Sequence, residues 1–431
     1  MQKIVYPQFN ETLYRTVLPN GLMVNLLPRR GFHKTYSIFS ANYGSIDTKY
    51  TDKLGRSREV PSGTAHFLEH KLFEKQDHDA FDIFGDYGAD ANAFTSFTKT
   101  SFLFSTTIHL NECLNTLLDF VQEPYFTSKT IEKEKGIIGE EISMYDDDPD
   151  WQLFAGLLRN LYPKDSLSMD IAGTKETIGK IHASTLYDCY HEFYQPSNMD
   201  LFVVGGFDFN SVLETIARNQ GAKKFTAMHG SPKLTDFLDA SGTAVSDYDE
   251  KRMDVTRPKS MIGIKGLSPL STGIERLKYK LELELGLHLL FGESSTLFQR
   301  MFSQSIVDDS FSFELELERG FHFALITADT IHYEEMEEEV TKTINQSEEI
   351  LASAPQRLDL AKREFLGQYI QVQNSLESVA DSYEGKLFGH ATLLDYATQI
   401  QKIDLASVIA AINKFFAPNV RTTFRILPIN Q

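Results

Sequence analysis

Cysteine is almost missing from this chain of 431 residues: only Cys113 and Cys189 occur. Two thiols cannot frame a protein of this length, which excludes the disulfide-stapled secreted class and makes a reducing compartment the default, so the chain reads as cytoplasmic. Low-complexity tracts are missing as well, and a composition of 42% hydrophobic and 24% charged residues excludes a largely disordered chain. No run approaches the roughly 20 consecutive apolar residues of a membrane span. The opening stretch MQKIVYPQFNETLYRT also lacks the apolar centre of a signal peptide. Positive charge is in deficit, with 42 basic residues against 60 acidic ones and a formal charge of -18. Plain repulsion then opposes nucleic acids and anionic membrane surfaces. Neither a Walker phosphate loop nor a dinucleotide-binding fingerprint is present.

The length itself exceeds what one hydrophobic core organises, so two domains are expected. Residues 13–27, LYRTVLPNGLMVNLL, place two apolar runs around Pro-Asn-Gly, whose last pair favours the positive backbone angles of a tight hairpin. Further strands are expected at 35–45, 94–107 and 199–207. Helical patterns occupy about 62–87, 109–122, 127–160 and 174–194. Helices and strands mix without strict βαβ alternation, which predicts an α+β fold: antiparallel-dominated sheets with helices packed on one face.

One layout occurs twice. YHEFYQPSNMDLFVVGG (190–206) and INKFFAPNVRTTFRILP (412–428) both run from a helix end with paired aromatics, through Pro and Asn, into a strand. Helix-Pro-strand endings are common, so coincidence is the alternative. If each copy closes a domain, the chain is an internal duplication: an N-terminal domain over 1–225, a linker rich in Ser, Asp and Gly over 226–250, and a similar domain over 251–431.

The candidate site begins at HFLEH, residues 66–70. On a helix, residues four apart share a face one turn apart, so His66 and His70 can aim ring nitrogens at one ion, and Glu69 borders the same space. A catalytic zinc takes three protein ligands and keeps a fourth position open. The segment EKEKGIIGEEISMYDDDPDW (132–151) offers the third. Glu134 and Glu141 return to within about 20° of one another around the helix, whereas Glu140 points roughly 100° away from Glu141. Two stacked carboxylates suit one ligand and one group that orients a ligand. A lone His on a helix is more often a surface or satisfied core residue, and a Glu-rich helix can be a solvated face; the conjunction is what points to a metal.

These residues resemble the pitrilysin/insulinase metallopeptidases, the inverzincins, with their inverted HxxEH motif. The resemblance also rests on the LPNGLMV hairpin, GADANAFTSFTKT (88–100), the Glu-x6-Glu helix, Gly-Thr at 173–174 and FYQPSNM (193–199), and it spans the chain. The length is that of the small two-domain kind related to mitochondrial processing peptidase, notably bacterial members encoded as pairs. The resemblance implies a zinc endopeptidase with one Zn2+ per chain, held by His66, His70 and Glu141. Glu69 would be the general base, and Glu134 would orient His66 or His70. Asn92 and Ala93 match edge-strand positions where the family holds the substrate backbone by β-augmentation.

One departure matters. The family completes its substrate site with an Arg and a Tyr from the second domain, yet in GESSTLFQRMFSQSIVDDSFSFE (292–314) Phe302 stands where the Arg belongs and Asp309 near the Tyr, with Arg300 two residues out of register. The resemblance therefore implies a heterodimer whose paralogous subunit supplies the Arg/Tyr clamp around a peptide substrate, or otherwise a homodimer. The rival readings are a non-catalytic scaffold or peptide-binding subunit of the same family, and hydrolysis of a small molecule. His78 in QDHDAFD, the run DDDPD (146–150), and His109, His182, His191, His322 and His390 lack metal-like partner spacing and read as surface or structural residues.

Overall fold

The computed structural model describes every residue except 53, 226–232, 235–241, 354, 383–388, 390, 430 and 431. The Pro-Asn-Gly turn joins β2 (Glu11–Val17) to β3 (Met23–Pro28), behind a first strand β1 (Gln2–Tyr6) that the apolar pattern does not announce. Gly21 sits at φ +93° and donates its N–H to Leu18 O at 2.8 Å, closing the hairpin. Strands β4 (Thr35–Ala41), β5 (Lys49–Thr51), β6 (Ser57–Glu59), β7 (Asp90–Thr95), β8 (Thr100–Thr106) and β9 (Met199–Gly205) follow. Later come β10 (Lys233–Leu234), β11 (Tyr248–Met253), β12 (Lys259–Lys265), β13 (Ser312–Glu318), β14 (Phe321–Asp329) and β15 (Arg421–Pro428).

The helical patterns resolve into separate helices: α1 (Thr64–Phe73), α2 (Ala80–Asp86), α3 (Leu110–Gln122), α4 (Ser128–Asp147), α5 (Pro149–Leu161), α6 (Lys175–Gly179), α7 (Ala183–Phe193) and α8 (Phe209–Ala222). The 127–160 pattern breaks at Asp148–Pro149, where proline cannot continue a helix and the Asp148 carboxylate caps the next one through Asp150 N–H and Trp151 N–H.

The first large sheet has the order β1-β2-β3-β9-β4-β8-β7 and the other β11-β15-β12-β14-β13; a small sheet runs β10-β5-β6. The last five strands of the first sheet match the second strand for strand: β3 and β11 pair parallel with β9 and β15, and every later pairing is antiparallel. The repeated sequence layout falls on equivalent strands, since β9 and β15 both enter from a helix, a Pro and an Asn. The fold is α+β with two similar halves. The equivalent of α1 in the second half is α9 (Gly273–Phe291), which carries His288 and no HxxEH.

The two compact units are not contiguous in sequence. The first contains 1–142, 170–235 and 372–394; the second contains 143–169, 236–371 and 395–431. In the second unit, α5 packs on β12 and β15. In the first, helices α1 and α3 pack over β8 and its neighbours, where Phe73 and Phe120 meet Phe102. The face of the same sheet bearing Tyr36, Ile38 and Phe202 is covered by the late helix Leu376–Asp381 through Leu376 and Val379. Strands β4 and β9 are consequently buried along their whole length. Within the expected linker, β10 pairs with β5, and 226–232 and 235–241 lie outside the described residues.

Candidate metal centre

Helix α1 can begin where it does because residue 63 is glycine. Gly63 has φ +87°, and a Cβ there would meet Ala172 O at 2.5 Å; reciprocally, a Cβ on Gly173 would meet Ser62 O at 2.6 Å. Only residues without a side chain let these backbones touch. From that start His66, Glu69 and His70 come up on the helix, with the two imidazole centroids 4.5 Å apart.

Helix α4 buries Ile131, Glu134, Ile138 and Ile142, a helical stripe that turns Glu134 and Glu141 toward α1 and leaves Glu140 exposed. His66 Nε2 lies 3.6 Å from Glu141 Oε1, and His70 Nε2 lies 3.7 Å from Glu141 Oε2. One donor atom from each of the three residues falls within 4.8 Å of the others. Donors bound at 2.0–2.1 Å in tetrahedral geometry stand about 3.3–3.5 Å apart. Two imidazole nitrogens and a carboxylate at these separations fit a zinc-like divalent ion with one position left open.

The two rings differ electrostatically. Burial, then the neighbouring His70, push the His66 pKa down to about 3, so the ring is neutral and its lone pair available at neutral pH. Burial works against a charge on His70 too, but the hydrogen bond with Glu134 and the surrounding carboxylates outweigh it and raise its pKa. Glu134 Oε1 stands 3.1 Å from His70 Nδ1. Burial opposes ionisation of Glu134, yet His70 and Lys71 hold it below the usual carboxylate range. Of the two histidines it could orient, Glu134 therefore meets His70.

Burial raises the pKa of Glu69, partly offset by a hydrogen bond that its Oε2 accepts from Thr95 Oγ1 at 2.6 Å. Thr95 ends β7, the edge strand of the sheet. Asn92 and Ala93 lie on that strand, where Asn92 Oδ1 accepts from Ala93 N–H at 2.8 Å. Sequence reasoning missed Thr95 and Lys71. Thr95 lies inside the NAFTSFT segment, but its contact with Glu69 spans 26 residues. Lys71, beside His70, is fully buried against Glu74 and Glu134, and no spacing rule marks a buried lysine.

The discounted residues have ordinary surroundings. His78 pairs with Asp77 at 2.7 Å on the surface, and Asp150 meets Lys259 at 2.8 Å. His109 and His182 stand at helix starts, His191 packs beside Tyr187 and Tyr190, and His322 is buried in the second unit. His390 lies outside the described residues. In the clamp segment, Arg300 pairs with Glu339, Asp309 is exposed, and Phe302 is 51% exposed beside Phe298. Among the described residues no helix is long and apolar enough to cross a membrane.

Two matched α+β units, the first carrying a His/His/Glu group that could hold a metal ion, define a class of duplicated α+β chains. Residues 55–175 match the family described as insulinase (peptidase family M16), and residues 180–354 match the peptidase M16 inactive domain. The chain is 40% identical over 431 residues, covering 99% of both, to the "uncharacterized zinc protease YmfH" of Bacillus subtilis strain 168. It belongs to the M16 family. Its fold superposes with a TM-score of 0.91 at 30% identity on an M16-like chain from Alicyclobacillus acidocaldarius, covering 98% of this chain and 100% of that one. With a protease from Helicobacter pylori the TM-score is 0.81 at 18% identity, covering 96% and 99%, a likeness of fold.

Proposed function

We propose that this protein is a zinc-dependent endopeptidase that hydrolyses peptides or unfolded segments, acting in the cytoplasm as the metal-bearing subunit of a heterodimer. The observation that carries this reading is the convergence of His66, His70 and Glu141 within 4.8 Å beside a buried Glu69. Zinc held by those three residues would polarise a peptide carbonyl and acidify a water. Glu69 accepts a proton from the attacking water and returns it to the departing amine as the C–N bond breaks. Glu134 orients His70, and Asn92 and Ala93 on the sheet edge hold the substrate backbone. The reducing compartment is supported by Cys113 and Cys189, both buried and unbridged.

The partner is proposed from the clamp segment. Arg300 is engaged by Glu339, and the family pattern aligns its Arg with Phe302, which supports a paralogous subunit that supplies the Arg and Tyr, or otherwise a homodimer. The test is cleavage of a mixture of unstructured peptides by zinc-quantified protein, alone and with the paralogue, beside Glu69→Gln. The expected outcome is turnover with the paralogue, lost by roughly 10²- to 10⁴-fold in the variant while its zinc is retained. Efficient cleavage by the chain alone would remove the partner. Turnover that survives in Glu69→Gln would remove the base, and zinc-loaded protein inert with and without the paralogue would favour the scaffold reading.

A further inference from the structure

The last residue of the edge strand reaches the proposed base. We infer that Thr95 is the positioning residue for Glu69, donating its hydroxyl to Oε2 at 2.6 Å and leaving Oε1 as the oxygen that handles the proton. This rests on the role given to Glu69 above. Among the described residues this is the side-chain hydrogen bond that reaches that carboxylate.

The direction of the hydrogen bond follows from its neighbours. Thr100 Oγ1 donates to Tyr43 O at 2.8 Å, so toward Thr95, 3.5 Å away, its oxygen can only accept. An ionised Glu69 can also only accept. Thr95 has a single O–H, and the much shorter approach commits it to Glu69. A hydrogen bond to a buried charge is among the stronger ones, because the low local dielectric penalises an unmet carboxylate.

The placement has a mechanistic consequence. Thr95 belongs to the same short strand as Asn92 and Ala93, so the strand proposed to hold the substrate backbone also holds the base in register with it. A lost hydroxyl then misaligns proton transfer and leaves the backbone contacts of the strand intact. Turnover changes, and substrate binding does not.

The experiment compares Thr95→Val, which keeps the shape, and Thr95→Ser, which keeps the O–H, in whichever preparation gives wild-type turnover. Thr95→Val is expected to retain zinc and KM within about twofold while kcat falls roughly 10- to 100-fold, and Thr95→Ser to recover within about threefold of wild type. Undiminished kcat in Thr95→Val, or equal loss in both variants, overturns the inference. Crystal structures of zinc-loaded wild type and Thr95→Val give a readout independent of turnover: the Glu69 carboxylate should rotate in the variant. If wild-type protein fails to cleave, the peptidase reading falls, and the structures still decide Thr95: an unrotated carboxylate overturns its role.

Discussion

Glu134 divides its carboxylate between two neighbours, with Oε1 3.1 Å from His70 Nδ1 and Oε2 3.8 Å from the fully buried Lys71 Nζ. By engaging the far nitrogen of His70 it turns Nε2 toward Glu141, and a carboxylate in that position raises the basicity of a metal-binding ring. Glu134→Gln keeps the shape and removes the charge that both neighbours face. Zinc affinity, read by competition with a chelator, should fall roughly 10- to 100-fold, and an unchanged affinity would deny Glu134 its orienting role. Helical periodicity made two pairs legible in the sequence, His66 with His70 on one helix and Glu134 with Glu141 on another; that the two helix faces belong together was what the family resemblance implied. Thr95 and Lys71 were not legible, since their partners are set by how β7 and α4 pack on α1, which no local pattern records.

Strand β13 carries Glu314, Glu316 and Glu318 at alternate positions, hence on one face. Burial, followed by Glu318 and Glu314, pushes the pKa of Glu316 up to about 7. A carboxylate whose folded pKa is raised destabilises the fold on ionising: the penalty is absent below its unfolded value, grows from about pH 4.5 to 7, and is complete above. Glu316→Gln should therefore stabilise the protein by about 1–3 kcal/mol in denaturant unfolding at pH 8 and have little effect at pH 4; a gain equal at both pH values would contradict the assignment. Packing gives a second test at this scale. Leu376 joins the core cluster of Tyr36, Ile38 and Phe202, so Leu376→Ala should cost about 2–5 kcal/mol, and a loss below about 0.5 kcal/mol would show that the late helix does not seal that face. The hairpin at Pro19-Asn20-Gly21 and the paired entries to β9 and β15 were readable from turn and strand chemistry. That α5 would serve the second unit and the helix at 376–381 the first was not, because amphipathicity names the buried face of a helix and not the sheet that buries it.

The whole chain repeats one sheet topology twice, but among the described residues the donor set falls in the first half only: α1 carries HxxEH, whereas α9 at the equivalent place carries a single histidine. This asymmetry makes one zinc per chain the expectation. Zinc content per chain tests that account most directly, by elemental analysis of purified wild type, Glu140→Gln and Glu141→Gln. The account predicts close to one zinc in wild type and in Glu140→Gln, whose exposed side chain points away, and a large loss in Glu141→Gln. Equal zinc in the two variants, whether both retain it or both lose it, would contradict the assignment of Glu141 as the third ligand.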